Sequence, residues 1–385
     1  MEIYLDNSAT TRPFDTVIEA VADSMRDWYY NASAAYKPAV EVEKKMRKAR
    51  ERIAASLGAA GGEVVFTSGG TEGDNLAILG TALLQRQPMR FVFSAVEHPA
   101  VAQTMERVRQ MGHDVRTLPV TARGIVDLNA AEELLTGQTA LVSVMQVNNE
   151  TGAVQPVSAL KAMMARRCPQ ARLHVDGVQG YLRVPFSLEK TGTDLYTLSG
   201  HKIHAPKGVG ALVVRKGVRL APHMLGGGQE RGLRSGTYNT PGIAGLDAAI
   251  EAFQALDKPC ERMLEMKRAL LAQIRSGIPG ALVNGPLPGE ADAAPHILNV
   301  SFPDVRGEVL LHALEARQIY VSTGSACSSH GQKVSLGLLA MGRKPAEAEG
   351  ALRFSLSPMN TMEEIEQAAE AVIALHAQLK LFRRR

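Results

Sequence analysis

The chain is poor in cysteine for its length. Only Cys168, Cys260 and Cys327 occur in 385 residues, and no two of them form a CxxC pair. Thiols so few and so far apart exclude a disulfide framework, and we expect no metal centre. This usage is typical of a reducing compartment and predicts a cytoplasmic protein.

The chain also lacks long apolar runs and a large excess of one charge. No stretch reaches the roughly 18 apolar residues of a membrane span, and "MEIYLDNSATT" at the N-terminus does not have the pattern of a secretory signal. The net charge is +4 and, apart from residues 383–385, the basic residues are scattered. We therefore expect neither a membrane nor a nucleic acid as a direct partner.

Strand-like and helix-like segments alternate from about residue 40 to residue 215. Short and almost continuously apolar runs are typical of buried parallel strands. The predicted strands are "EVVFTS", "RFVFSAV", "ALVSVMQV", "RLHVD", "LYTLS" and "GALVV". After the first strand, "GGTEGDNLAILGTALL" predicts a glycine turn that enters a helix. This half predicts an α/β domain with a mostly parallel sheet covered by helices.

The pattern changes after residue 225. We predict a long helical stretch over roughly 240–277, strands at "HILNVSF" and "ALRFSLS", and a helix at "GEVLLHALEARQ". Thr361 and Glu364 have the spacing of a capping box for the last helix. Because the chain is too long for one ordinary core, this half is interpreted as a second, smaller α+β domain.

Polar residues follow several predicted strands. Lys202 in "SGHKIHAPKGVGAL" would form a Schiff base if its amine were desolvated, although a surface lysine fits the pattern equally well. Gly69, Gly70 and Thr71 precede a helix whose positive end favours an anion, although most such turns are plain loops. This turn has neither the Walker A lysine nor GxGxxG spacing, so a phosphate bound there need not belong to a nucleotide.

Three further residues complete a chemical set. Asp176 would pair with a protonated ring nitrogen or cap a helix, and His98 would stack on a flat ring, move protons or simply occupy a loop. Arg353 would clamp a carboxylate or pair with a surface acid. Together with Lys202 and the glycine turn, these residues form the set that pyridoxal phosphate requires.

Cys327 stands in "STGSACSSHG", Ser322 to Gly331, which is too small and polar to bury a thiol. A structural cysteine usually lies among apolar residues. The thiol is therefore either a reactive group on a loop or an inert group in a flexible turn.

The sequence resembles the cysteine desulfurases of the NifS/IscS-like group, which have the class V aminotransferase fold. The resemblance runs in order from Met1 to about Ser357. It rests on "YLDNSATT", "FTSGGTEGDN", "VEHPAV", "VNNETG", "HVDGVQ", "SGHKIHAPKG", "GGGQERGLRSGT", "STGSACSS" and "RFSLS". So many motifs in order make a chance match very improbable.

The resemblance implies a homodimer with the aspartate aminotransferase-like fold of pyridoxal-phosphate-dependent transferases. Residues 12–255 would form the large cofactor domain, and residues 1–11 would join residues 256–385 in the small domain that carries the cysteine loop. The implied reaction converts L-cysteine to L-alanine and leaves the sulfur as a persulfide on the enzyme. An iron–sulfur scaffold or a tRNA-thiolation enzyme would then accept the sulfur.

The resemblance also assigns roles to individual residues. Lys202 would carry pyridoxal 5'-phosphate, Cys327 would be the nucleophile, and His98 would stack on the ring and move protons. Asp176 would hold the ring nitrogen and Gln179 the ring hydroxyl. The phosphate would be held by Gly70, Thr71, Ser199, His201 and, from the partner subunit, Thr237, and the substrate carboxylate by Asn149 and Arg353.

Two segments depart from the family pattern. "NASA", residues 31–34, stands where the family usually has Asn-Pro-Ser-Ser, and "SSHGQKVS" replaces the usual run after the cysteine. The length of the second segment is retained, so the long mobile loop of the IscS-like subgroup is still expected. The altered residues leave the loop conformation and the acceptor partner open.

Overall fold

The computed structural model describes residues 2–59, 62–323 and 334–382. The strands are β1 Ile3–Tyr4, β2 Glu63–Thr67, β3 Arg90–Ser94, β4 Asp114–Leu118, β5 Thr139–Met145, β6 Arg172–Asp176, β7 Leu195–Ser199, β8 Gly210–Val214, β9 Leu282–Val283, β10 Ile297–Ser301, β11 Ile319–Tyr320 and β12 Ala351–Ser355. The helices are α1 Asp15–Asp27, α2 Lys37–Ser56, α3 Gly70–Ala82, α4 Pro99–Gln110, α5 Leu128–Leu134, α6 Val157–Arg167, α7 Leu188–Thr191, α8 Thr240–Ala255, α9 Pro259–Gly277, α10 Gly307–Glu315, α11 Leu336–Ala340, α12 Pro345–Glu349 and α13 Met362–Phe382.

A seven-stranded sheet, in the order β2-β8-β7-β6-β5-β3-β4, forms the centre of the larger half. Strands β3 to β7 run parallel where they pair, and β8 runs antiparallel to both of its neighbours. The predicted mostly parallel sheet is therefore confirmed. The carboxyl ends of β3, β5, β6 and β7 lie at one edge, where open α/β sheets usually bind ligands.

Both faces of this sheet are covered by helices, because its strands are apolar on both sides. Val64 and Phe66 of β2 face a core built with α2 and α8, while Val65 faces a second core built with α3 and α4. The alternation follows from the two-residue period of a strand. Helix α3 thus lies against one face of the sheet, with its first turn near the carboxyl edge.

The remaining strands form two small sheets in the other half of the molecule. Strands β9, β10 and β12 form an antiparallel sheet, and β1 pairs in parallel with β11 at the opposite end of the chain. A third core packs these strands against α9, α10 and α13. The proposed boundaries of the domains, at residues 11 and 255, stay a prediction.

The predicted helical stretch over 240–277 was wrong in one respect, because it is two helices. Helix α8 ends at Ala255 and α9 begins at Pro259, with Lys258 in the left-handed region at φ +44°. A residue before proline is disfavoured in helical conformation, so the chain turns there. The capping box of α13 is confirmed, because Thr361 and Glu364 each accept a hydrogen bond from the other's backbone N–H.

Candidate active site

A cavity of about 400 Å³ opens at the carboxyl edge of the large sheet, beside the first turn of α3. It brings together nearly all the predicted site residues among those the structure describes. Its lining includes Gly70, Thr71, His98, Asn149, Asp176, Gln179, Ser199, His201, Lys202 and Arg353. The volume lies within the range of a small-molecule or cofactor site.

Lys202 follows β7 in a short 3₁₀ turn, and its amine lies in the cavity. Its Nζ donates hydrogen bonds of 2.6 Å to the carbonyl oxygens of Ser8 and Ala9. The buried Arg183 donates to the main-chain carbonyl of Lys202. The N-terminal segment thus holds the amine of Lys202, and Arg183 holds its main-chain carbonyl. The amine is therefore fixed at the wall of the cavity, where a bound molecule can reach it.

Asp176 ends β6, is buried and lines the cavity. One carboxylate oxygen accepts the N–H of Val178 at 2.9 Å. Burial raises the pKa of Asp176 to about 7, with a further contribution from the nearby Asp74. A buried carboxyl of this kind is stabilised in its charged form by a cation, which a protonated ring nitrogen supplies.

Gln179 lies close by and holds an unsatisfied acceptor. Its Nε2 donates to the Ser8 carbonyl at 2.9 Å, whereas its Oε1 is buried without a hydrogen-bond partner. Buried polar atoms are rarely left unpaired in proteins. The amide oxygen is therefore available to a donor on a bound molecule, such as a ring hydroxyl.

His98 caps the N-terminus of α4, where its Nδ1 accepts the N–H of Ala100 at 3.1 Å. Burial, together with the charge of Lys202, lowers the pKa of His98 to about 4. The imidazole is consequently neutral at neutral pH. Because Nδ1 is an acceptor, the proton is on Nε2.

The turn at the start of α3 provides an open cradle of backbone N–H groups. Gly69 has φ +152°, and a Cβ at Gly70 would lie 2.7 Å from Cγ2 of Val178. Side chains are therefore excluded there, and an anion can approach the positive end of the helix. The cavity wall beside this turn also includes the hydroxyls of Thr71 and Ser199 and the ring of His201.

Arg353 is buried at the end of the cavity nearest the small sheets. Its guanidinium donates to the carbonyl of Asn149 at 2.9 Å and to Asp6 at 2.8 Å, while its Nε has no hydrogen-bond partner. Its backbone pairs with Ser322 through hydrogen bonds of 2.6 and 3.1 Å. Ser322 begins the segment that carries Cys327, and Cys327 itself lies outside the described residues.

The predicted phosphate ligand Thr237 and the two remaining cysteines, for which no role is predicted, do not line the cavity. Thr237 is exposed in the loop before α8 and is not part of the cavity lining. Cys168 is buried in a hydrophobic core and Cys260 is partly buried. Burial raises the pKa of both thiols, which disfavours the reactive thiolate.

Sequence reasoning missed several lining residues. Ser8 and Ala9 belong to the motif "DNSATT", and only the pairing of the N-terminal segment with distant parts of the chain places them here. Asp74 belongs to "TEGDN", yet nothing in that motif distinguishes its carboxyl from a surface group. Met145, Val147 and Val178 supply apolar wall.

In a comparison with protein families, residues 3–368 match the family described as aminotransferase class-V. The chain belongs to the class-V aminotransferase family. It is accordingly a pyridoxal-phosphate-dependent enzyme, and the cavity described above fits that cofactor. The fit rests on the unpaired oxygen of Gln179, the buried carboxyl of Asp176 and the side-chain-free cradle at Gly70.

Class-V relatives resemble this chain over almost its whole length. A cysteine desulfurase of a Nostoc species is 40% identical over 383 residues, which cover 98% of this chain and 94% of that protein. Cysteine desulfurase NifS of Azotobacter vinelandii is 37% identical with the same coverage. Among solved structures, a NifS-like protein is 37% identical with a TM-score of 0.91, covering 98% of this chain and all of that one.

Another similar solved structure is that of SspA in complex with cysteine. It is 32% identical with a TM-score of 0.82, and the match covers 94% of this chain and all of that one. In the part of the chain that the structure describes, no helix is long and apolar enough to span a membrane.

Proposed function

We propose that this chain is a cysteine desulfurase that converts L-cysteine to L-alanine and keeps the sulfur as a persulfide on Cys327. The observation that carries this proposal is the pairing of Arg353 with Ser322 at the cavity. A guanidinium suited to a carboxylate thus lies beside the residue from which the cysteine segment departs. Cys327 follows five residues later, and five residues of chain can span up to about 17 Å.

Each side chain around the cavity has a separate role in the proposed reaction. Pyridoxal phosphate, held by Lys202, supplies an electron sink for the bond changes at the amino acid. Lys202 Nζ, released from the cofactor once the amino group of the substrate has taken its place, would take the proton from the substrate Cα, and Arg353 with Asn149 would hold the substrate carboxylate. Asp176 provides the negative charge that keeps the ring nitrogen protonated.

Cys327 then acts on the substrate sulfur. Its thiolate attacks that sulfur, the Cβ–Sγ bond breaks, and its electron pair stays with the carbon, which is protonated to become the methyl group of alanine. The sulfur remains on Cys327 as a persulfide. His98, which burial keeps uncharged at neutral pH, or Lys202 would move the remaining protons, because both side chains line the cavity.

Three features of the proposal go beyond the activity. We infer a homodimer in which Thr237 reaches the phosphate of the partner, because Thr237 is exposed and does not line the cavity of its own chain. We also infer delivery of the sulfur to an iron–sulfur scaffold or a tRNA-thiolation enzyme, in the cytoplasm. The low cysteine content supports a reducing location.

Product analysis tests this function. Purified protein loaded with pyridoxal phosphate is incubated with L-cysteine and dithiothreitol, without any keto acid. Equal amounts of alanine and sulfide are expected. Turnover that requires a keto acid and yields mercaptopyruvate would make the chain an aminotransferase, and a strict demand for selenocysteine would make it a selenocysteine lyase.

A further inference from the structure

A patch of polar side chains is buried between α3 and the large sheet, where apolar residues would ordinarily pack. Ser143 of β5, His174 of β6 and Thr197 of β7 form a row across neighbouring strands. The Ser143 hydroxyl lies 2.8 Å from His174 Nδ1, and the Thr197 hydroxyl lies 3.0 Å from His174 Nε2. All three are completely buried.

Asp74 reaches this row from the helix. Its Oδ1 lies 3.5 Å from His174 Nε2, and the residue is buried. Helix α3 approaches the sheet closely at this point, because a Cβ at Gly73 would lie only 2.7 Å from Cγ2 of Thr197. Burying such groups is costly unless they pair, so their presence needs a reason other than packing.

The row is connected to the cavity through Asp176. His174 and Asp176 are two residues apart on β6, so both point to the face covered by α3. Thr197 is the partner of Asp176 in the strand register. Asp74 also lines the cavity beside Asp176. Asp74, His174 and Thr197 therefore lie near the carboxyl that would hold the ring nitrogen, and Ser143 contacts it only through His174.

We propose that Asp74 and His174 are positioning residues that form a neutral pair, with the carboxyl of Asp74 protonated and the imidazole of His174 uncharged, so that Asp176 is the one charged carboxylate among the described residues at this end of the cavity. The inference rests on the proposed function, which gives Asp176 its role. The pair is close, because Asp74 Oδ1 lies 3.5 Å from His174 Nε2. Because hydroxyls donate or accept, Ser143 and Thr197 satisfy either tautomer of the uncharged imidazole.

The surrounding charges favour a neutral pair. Burial raises the pKa of Asp74 to about 8 and lowers the pKa of His174 to about 4. A third carboxyl, Glu97, faces the same region and accepts hydrogen bonds from Ser94 and the N–H of Met145, and burial raises its pKa well above the ordinary range. Lys202 and His98 line the same cavity, and Lys202 acts electrostatically on Asp176. A second carboxylate would repel Asp176, which a neutral pair avoids.

The experiment compares Asp74→Asn with Asp74→Leu in the cofactor-loaded protein. Two readouts are used: the visible absorbance of the bound cofactor as a function of pH, and the Kd of pyridoxal phosphate for the apo-protein. Asparagine keeps a neutral polar group, so both readouts should stay at wild-type values. Leucine removes the carboxyl that lies 3.5 Å from His174 Nε2, and the midpoint of the absorbance titration should shift while Kd rises about 10-fold.

Each outcome bears on the proposal. If asparagine shifts the midpoint as far as leucine does, the carboxyl must ionise and the neutral pair is wrong. If neither variant shifts it, the pair has no positioning role. His174→Leu tests the other member of the pair and should shift the absorbance midpoint as Asp74→Leu does. An unchanged midpoint in His174→Leu would overturn the proposal, even if Asp74→Leu did not fold. The double variant Asp74→Leu/His174→Leu should shift the absorbance midpoint no further than either single variant does, because the two residues act as a unit.

Two controls separate this inference from the proposed function. Thr81→Val removes a buried hydroxyl on the same helix, away from the cavity, and should leave both readouts unchanged. Asp176→Asn should shift both. If Asp176→Asn changes neither the absorbance midpoint nor the Kd of pyridoxal phosphate, the proposed function itself is wrong. If Asp176→Asn changes both readouts but Asp74→Leu changes neither, only the proposed role of the pair is wrong.

Discussion

Burial, more than any ion pair, determines the protonation of the side chains in the cavity. His98 and His201 each have a pKa lowered to about 4, with burial as the leading cause and Lys202 as the second. Both rings are therefore neutral at neutral pH. A neutral ring beside the cofactor can accept a proton during turnover, which a ring already charged could not.

At the scale of single residues, Lys202 gives the most direct test. Lys202→Ala should lose the covalent link to pyridoxal phosphate that borohydride reduces, because no other amine is held at that place by Ser8 and Ala9. Mass spectrometry of the reduced protein checks this. Lys207→Ala, on the exposed part of the same loop, is the matched control and should keep the link. A reduced adduct mapped to Lys207 would contradict the assignment.

Cys327 should be dispensable for binding but not for turnover. Cys327→Ala should still bind cysteine and shift the absorbance of the cofactor, because Lys202 and Arg353 are intact. Alanine release should fall by about 10³ or more, since no other thiol takes the sulfur. Alanine is measured with and without dithiothreitol, beside the intact mass of the protein. Cys168→Ala and Cys260→Ala are the controls and should keep the extra sulfur, and near-normal turnover of Cys327→Ala would refute the role.

Lys267 should make stability depend on pH. It is buried on α9, donates to the Ala294 carbonyl at 2.8 Å, and burial lowers its pKa to about 7. Between pH 7 and about 10.4 the unfolded chain holds a proton that the folded chain does not, so folded stability rises with pH in that window. Lys267→Met should therefore stabilise the protein by about 2 kcal/mol at pH 7, after the loss of one hydrogen bond.

The gain from Lys267→Met should shrink towards zero by pH 9.5. Urea denaturation at both pH values measures it. Lys48→Met, on the exposed face of α2, is the control and should change stability by less than about 0.5 kcal/mol at either pH. A gain that is equal at both pH values would show that packing, not protonation, is responsible.

At the scale of elements, the strands were predictable where apolar runs were short and sharply bounded. "RLHVD", "LYTLS" and "GALVV" match β6, β7 and β8 residue for residue. The reversed direction of β8 was not predictable, because direction depends on the connection and not on the strand's own residues. The break between α8 and α9 was missed because apolar periodicity continues on both sides, although Pro259 was visible.

The candidate site was predictable only in part, because some of its residues are placed by the strand ends and others by how closely a helix packs on the sheet. Asp176, Ser199 and Lys202 follow strands whose ends meet at one edge, so their proximity could be inferred. Asp74 could not, because its burial depends on how closely α3 approaches the sheet. That distance is set by Gly73 against Thr197.

Gly73→Ala tests how far the site depends on this approach. The new methyl group would meet Cγ2 of Thr197, so α3 must lift and carry Gly70 and Thr71 with it. We expect the Kd of pyridoxal phosphate to rise about 10-fold, with a loss of stability of about 1–3 kcal/mol. Thr197→Ser removes the opposing methyl group, and the double variant should recover most of both losses. Failure of this rescue would show that the clash is not the cause.

At the scale of the whole molecule, we expect the phosphate site of each chain to need Thr237 from its partner. If Thr237 serves the partner, a heterodimer of a Lys202→Ala protomer and a Thr237→Ala protomer has one site doubly damaged and one intact. Its cofactor affinity at the active site should then equal that of the wild type, as measured by titration of the isolated heterodimer. Affinity as weak as in the Thr237→Ala homodimer would place Thr237 in its own subunit. A heterodimer of Lys202→Ala with the wild type is the control.

The pairing of β1 with β11 has a consequence for biosynthesis. Ile3 and Tyr4 align with Ile319 and Tyr320, and Asn7 and Ser8 hydrogen-bond to Ser355. Residues 3–8 are therefore synthesised more than 300 residues before the partners with which they pair. Since Ser8 and Ala9 hold the amine of Lys202, a nascent chain can complete its large sheet yet cannot fix this wall of the cavity until Ser355 has been made. We therefore expect the cofactor to reach its final geometry only after the small sheets have formed.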